Sequence, residues 1–183
     1  MVFGEKNKFA IEAYHEPSGL KWAGFGRLCV HVAGKSLGNI LDNHCSLFHA
    51  TDRFRELSGS IVNLWDEAFA GLSDAEIFSR IDDALYLGEP SELGPACAPF
   101  DFLTNTGEMF NGTKTFIVCR PNGRVSIFYQ LRDDTFGSGA CDVDFFQAAA
   151  LEYVHWFDEQ VRGVGPPYFP INPFDPNETI PGS

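Results

Sequence analysis

Two β-rich runs, Thr115 to Arg120 and Arg124 to Leu131, are separated by Pro121-Asn122-Gly123. That triplet constrains the fold more than any other feature of the chain. Proline holds φ near about −65°, which suits the first corner of a turn. Gly123 can take the positive φ of a type I turn closed by a bulge, so the two runs read as an antiparallel hairpin. A second pair of strands is legible upstream. Phe9, Ile11 and Ala13 alternate with Ala10, Glu12 and Tyr14, and Leu28, Val30 and Val32 alternate with Cys29, His31 and Ala33, the period of half-buried strands. A Gly34 to Asn39 turn and a third strand around Cys45 to Thr51 are expected to follow.

From Ser60 the period becomes helical. Ile61, Leu64, Trp65, Ala68 and Phe69 fall on one face behind Ser60 as N-cap, and Gly71 ends the run. Ser73-Asp74-Ala75-Glu76 matches a capping box, which predicts a second helix with Ile77, Phe78, Ile81 and Leu85 inward, closed by Gly88 and Pro90. Pro90 to Pro99 reads as a loop, and residues 100 to 113 have no readable period. Asp144 with Gln147 resembles a capping pair. Phe146, Ala149, Ala150, Tyr153, Phe157 and Val161 mark one face of a long last helix. Trp65, Phe69 and Phe157 are therefore expected in the core.

Strands and helices do not alternate as the crossovers of a parallel sheet require. The expectation is an α+β fold, an antiparallel sheet from residues 9–33 and 115–131 packed against helices at 61–87 and 144–162. The 183 residues suit one domain. Residues 1–162 form that domain, and 163–183, with six of the eleven prolines, form an extended tail whose first half is expected to dock through apolar anchors among Tyr168, Phe169, Ile171 and Phe174.

Charge is uneven. Thirteen Lys and Arg stand against 25 Asp and Glu, a net charge of −12, which argues against partners held through phosphates, whether nucleic acid or anionic membrane. Residues 61–108 carry ten acids, Asp66, Glu67, Asp74, Glu76, Asp82, Asp83, Glu89, Glu92, Asp101 and Glu108, against the single cation Arg80. Such a segment is either a solvated surface that keeps the chain soluble or a face for a cationic partner.

Catalytic, cofactor and metal sites are not expected. Ala33-Gly34-Lys35-Ser36 has the end of a phosphate loop without its glycine cradle and reads as a turn. Cys29, His31, His44, Cys45 and His49 are zinc-ligand types without zinc spacing. Asp82-Asp83 and Asp133-Asp134 are adjacent acids rather than a spaced acid/base pair, and most of the 18 phenylalanines read as packing. The N-terminus lacks an apolar signal region, and five scattered cysteines suit a reducing compartment, so the chain is expected in the cytoplasm without disulfides.

Several segments carry a family likeness. Phe3-Gly4 leading into Phe9-Ala10-Ile11, then Leu64-Trp65-Asp66-Glu67-Ala68-Phe69, Phe100-Asp101-Phe102-Leu103-Thr104-Asn105, and Gly107-Glu108-Met109-Phe110 with Lys114 and the hairpin beyond it, resemble the immunity protein 42 family. These are small bacterial proteins encoded beside polymorphic toxins, and the resemblance spans residues 1–160 or so. It implies an α+β protein that is not an enzyme and that binds a cognate toxin domain and blocks it in the producing or sibling cell during interbacterial competition. No toxin-contacting residue carries over by family motif. On charge alone, the acids of residues 61–108 together with Asp133 and Asp134 are assigned to the toxin, whose active-site surface is then expected to be basic. The chain is expected to act as a monomer. The rival readings are a small cytosolic enzyme, which requires a pocket with converging polar groups, and an acidic scaffold module.

Overall fold

A computed structural model of the chain describes residues 1–16, 24–41, 45–87, 93–104 and 106–162. The hairpin closes as its chemistry requires. Arg120 N–H donates to Arg124 O at 2.8 Å, Gly123 N–H donates to Arg120 O at 2.9 Å, and Gly123 sits at φ +76°. Strands β6 (Lys114–Cys119) and β7 (Arg124–Gln130) pair antiparallel across this turn, and β8 (Phe136–Asp142) adds to the far side of β7.

The N-terminal strands build a separate sheet. β1 (Val2–Glu5), β2 (Phe9–His15), β3 (Phe25–Val32) and β4 (Lys35–Leu37) lie in that order, and β5 (Cys45–Ser46) also pairs with β3. The register sets Phe9, Ile11 and Ala13 opposite Val32, Val30 and Leu28, so all six share one buried face. Against that core pack α1 (Phe48–Ser60) and the long α4 (Val143–Arg162). Ring pairs hold the layers together: Phe9 with Phe146 at 4.7 Å and Phe54 with Tyr153 at 5.4 Å between centroids. The Tyr153 hydroxyl brought into this core is satisfied, since its Oη lies 2.8 Å from Thr51 Oγ1, which also donates to Leu47 O.

Strands β6 and β7 are buried on both faces. Ile117, Cys119, Val125, Ile127 and Tyr129 join the core shared with α1 and α4. Phe116, Val118 and Phe128 face the other way, into a second core with Phe69, Ile77, Phe78, Ile81 and Phe100. The second core is roofed by α2 (Asp74–Asp82), which opens on the expected Ser73–Glu76 capping box and runs on into a π-helical turn, Asp83–Leu87. Ile77, Phe78 and Ile81 are buried as the pattern required, with Leu85 half-buried.

The α+β class, the β2–β3 pairing, the hairpin, α2 and the buried face of α4 from Phe146 to Phe157 agree with the sequence reading, while the side chain of Val161 lies outside the described residues. Other elements correct it. Strand β5 is only two residues, and the segment expected to be strand up to Thr51 is already helix α1, whose Ala50, Phe54 and Leu57 are buried. Ser60 ends that helix and stands at the N-cap of the 3₁₀ turn that follows, but its hydroxyl donates back to Glu56 O at 2.8 Å and makes no capping bond. Residues 61–69 are two 3₁₀ turns, Ile61–Asn63 and Glu67–Phe69, because Leu64 between them gives its carbonyl to Cys119 N–H at 2.8 Å and is drawn out along β6. The 34–39 turn contains β4, and the 90–99 loop contains α3 (Leu93–Cys97) and a 3₁₀ turn, Ala98–Phe100. Asp144 and Gln147 form no capping pair: the Gln147 amide donates to Ser58 O at 2.8 Å, tying α4 to α1. The strands divide into two sheets where one was expected, and the tail 163–183 lies outside the described residues.

Phe69 and Phe157 are buried, whereas Trp65 is half-buried, with its indole Nε1 shielded and unpartnered. Phe69→Ala should lower the unfolding free energy by about 3–5 kcal/mol. Trp65→Phe removes an unpaired donor along with some apolar area and should stay within about 1 kcal/mol of wild type. Urea unfolding separates the two, and equal losses would mean that the indole nitrogen is not an orphan.

Candidate functional site

The acids assigned to a partner fall into distinct environments. Two of them, Asp74 and Asp82, are turned into the molecule by α2. Asp74 accepts from Arg120 Nη2 at 2.5 Å and from Ser138 Oγ at 2.6 Å, and Arg120 also donates to Ser126 Oγ and lies 6.0 Å from the Trp65 ring. Asp82, only 6% exposed, takes Lys114 Nζ on both oxygens at 2.6 and 2.9 Å. Lys114 stands 5.3 Å from the centroid of Tyr86, whose hydroxyl donates to Asp101 Oδ2 at 2.6 Å. Burial, then the bond to Asp101, raises the Tyr86 phenol well above its ordinary pKa, so it remains a donor. The Asp101 carbonyl in turn accepts from Arg53 Nη2 at 2.6 Å, and the same nitrogen reaches Pro99 O. Asp74, Asp82 and Asp101 are therefore committed internally.

Asp66 and Glu76 are helix caps. Asp66 Oδ1 accepts Ala68 N–H at 2.8 Å, and Glu76 Oε2 accepts both the N–H and the hydroxyl of Ser73, bonds that hold its carboxyl below the usual range. Glu67 and Asp83 are exposed and make no ion pair among the described residues. In the β7–β8 turn the Thr135 side chain, then the Thr135 N–H that Asp133 accepts at 3.1 Å, lowers the Asp133 pKa, and Asp134 is exposed at φ +62°. Glu89 and Glu92 lie outside the described residues, as does the side chain of Glu108, whose backbone belongs to the 3₁₀ turn Glu108–Phe110.

Thus the electronegative segment of the sequence is not one electronegative face. Its counter-charges, Lys114 and Arg120, come from β6 and the turn after it. The acids left toward solvent near α2 are Glu67, Glu76 and Asp83. Glu76 and Asp83 flank Arg80 along an open groove of about 410 Å³ that Leu72, Ala75 and Ser79 complete. Other exposed acids, Asp144, Glu152 and Glu159, lie on the outer face of α4, where the helical period alone would have placed them.

The histidine and cysteine set of the N-terminal third also disperses. His31 is buried between Glu12 Oε2 at 2.8 Å and Ser36 Oγ at 3.1 Å, and all five cysteines are free and buried. Burial raises the Cys141 thiol to about 12 and pushes Cys29, Cys97 and Cys119 in the same direction, so these sulfurs are protonated and inert near neutral pH. Among the described residues no three of His, Cys, Asp and Glu stand together as metal ligands. His44 lies outside them.

The family model for immunity protein 42 matches residues 1–156. No curated protein matches the chain. Among solved structures, the crystal structure of CdiI from Burkholderia dolosa AUO158 superposes with a TM-score of 0.62 at 15% sequence identity, over 85% of this chain and 99% of that one. At that identity the likeness is one of fold.

If Asp82 anchors α2 rather than serving a partner, Lys114→Met should destabilise the protein by about 1–3 kcal/mol, discounted for the partial exposure of the lysine. Asp83→Asn should change stability by less than about 0.5 kcal/mol. Paired thermal melts read the contrast, and equal effects would remove the distinction between committed and free acids.

Proposed function

The chain belongs to the immunity protein 42 family, whose role is immunity against a toxin, and we propose that it performs that role by binding a toxin domain rather than by catalysis. The family match over residues 1–156 carries the reading. The surface chemistry supports a cationic face on the toxin as the target. Most basic side chains of the described residues are held in ion pairs; Lys35, Arg80 and Arg132 are those that form none. The exposed acids therefore outweigh the free cations, and an acidic inhibitor gains association rate toward a basic cleft through long-range attraction.

In this reading the toxin-facing acids among the described side chains of residues 61–108 are Glu67, Glu76 and Asp83, joined by Asp133 and Asp134, while Asp74, Asp82 and Asp101 hold the scaffold and Asp66 caps the turn Glu67–Phe69. Glu89, Glu92 and Glu108 stay with the proposal on charge alone. No helix among the described residues is long and apolar enough to cross a membrane, and the excess of acid disfavours phosphate partners. The protein then acts in the cytoplasm as a monomer on a protein partner, with neither nucleic acid nor membrane involved.

Charge reversal at the two exposed and unpaired positions, Glu67→Lys with Asp83→Lys, is expected to slow association with the toxin domain roughly tenfold at low salt and to flatten its salt dependence. The melting temperature should hold, since exposed charges contribute little to stability. Stopped-flow association across a salt series, with growth rescue in cells expressing the toxin, measures this. An unchanged rate at every salt concentration would assign these acids to solubility.

A further inference from the structure

The two long edges of the β6–β7–β8 sheet are treated differently by the fold. Along β6 the outer edge is occupied: Phe102 N–H donates to Thr115 O at 2.9 Å, Thr115 N–H to Thr104 Oγ1 at 2.9 Å, Cys119 N–H to Leu64 O at 2.8 Å, and Asp101 bridges Phe116. Along β8 it is open among the described residues. The bond from Leu131 N–H to Thr135 O at 3.0 Å and the register Tyr129↔Gly137, Ile127↔Gly139, Val125↔Cys141 turn the polar groups of the odd residues toward β7. Those of Phe136, Ser138 and Ala140 point away from it. Among the described residues none of these three N–H groups has a backbone partner, and the one outward carbonyl that is used, Ala140 O, accepts from Arg124 Nη2 at 3.2 Å.

Open edges are ordinarily short or blunted by lysine, proline or a bulge. β8 is seven residues, Phe-Gly-Ser-Gly-Ala-Cys-Asp, in unbroken register with β7 and with neither lysine nor proline, whereas the end strands of the other sheet, β1 and β4, have four and three residues. Phe136 and Ala140 are exposed. Acid marks both ends of the edge: Asp133 and Asp134 before it, Asp142 and Asp144 after it, with Arg124 compensating Asp142 and Lys35 acting on Asp133.

We propose that the outer edge of β8 is a docking strand, on which an extended segment of the toxin domain carrying basic residues at its ends adds as a fourth strand. This rests on the immunity reading above and gives it a contact site apart from α2. Main-chain bonds to Phe136, Ser138 and Ala140 supply affinity, and the flanking aspartates select a cationic segment. Charge also argues against a second copy of this chain as occupant. An antiparallel β8–β8 pairing would lay Asp133 and Asp134 of one copy beside Asp142 and Asp144 of the other, and a parallel pairing would set each acidic end against itself.

Ala140→Pro removes one outward N–H while leaving the bonds to β7 in place, and Ala140→Thr keeps that N–H as a control. The probe is the purified toxin domain of the adjoining reading frame, titrated against the full chain. The expected result is that Ala140→Pro binds at least about tenfold more weakly than wild type, at an unchanged melting temperature, while Ala140→Thr binds within about threefold. In the wild-type complex the amides of Phe136, Ser138 and Ala140 should become protected from hydrogen exchange, a readout that holds even if the proline variant fails to fold. Equal binding by a folded Ala140→Pro, or no gain of protection at those amides, overturns the docking strand while leaving toxin binding intact. A wild-type dimer in solution that Ala140→Pro dissolves assigns the edge to self-association and overturns it too. If the wild-type chain does not bind the toxin domain at all, the immunity reading falls and the docking strand with it.

Discussion

The rest of the molecule depends on one hairpin being buried from both sides. β6 and β7 have apolar side chains on each face, so the hairpin cannot lie at the surface of a two-layer domain. It needs a cover above and another below. α4 and the N-terminal sheet supply one, and α2 with the segment around Phe69 and Phe100 supplies the other. Burial of this kind is non-directional and roughly proportional to apolar area, which settles that the hairpin lies in the middle but not how its covers are aligned. Alignment comes from polar groups at the margins, such as Asp74 against Arg120 and Ser138, and Asp82 against Lys114.

What the sequence disclosed of this architecture follows from how local each signal is. The Pro121 turn and the Ser73–Glu76 capping box are complete within three or four residues, and both form as read. Helix α1 carries Ala50, Phe54 and Leu57 at helical spacing, but its N-cap position is Leu47, with no side-chain bond, and Cys45-Ser46 before it does form a short strand. With no start signal the helix merged into the strand ahead of it. Residues 61–69 failed in the opposite sense: the helical stripe is present, yet the tertiary bond between Leu64 and Cys119 overrides it. Strand β8 has no β-branched residue to announce it. Gly137 and Gly139 lie where a Cβ would collide with the Tyr129 ring and with Val32 and Ala33, so its composition answers to close packing rather than to strand propensity.

The functional surface was less legible because charge was counted along the chain while electrostatics acts through space. Ten acids against one arginine describes residues 61–108 as a string, but Lys114 and Arg120, just beyond that segment, come back onto α2 and absorb Asp82 and Asp74. A helical wheel could have warned of Asp82, which follows Ile81 and lies four residues past Phe78 on the face that turned out to be buried. Nothing local announces that Asp101 receives the Tyr86 hydroxyl across 15 residues. Glu67 and Asp83, in contrast, sit where both readings agree, exposed and unpaired.

The series Arg53, Asp101, Tyr86, Lys114, Asp82 has a structural logic of its own. It starts on α1, against the first core, and ends at the last turn of α2, over the second, passing the edge of β6 on the way. Each step has a preferred direction, and groups in such a chain polarise one another in surroundings drier than bulk water. Two of its atoms, Arg53 Nε and Asp101 Oδ1, are buried without a partner, so the series is tight rather than fully satisfied. An incompletely paired polar seam between two apolar cores fixes their relative placement at some cost in stability, and it consumes the acids that would otherwise face outward. In the proposed reading, recognition then falls to groups the fold does not need, so the surface could be altered for a different partner without disturbing the layers beneath.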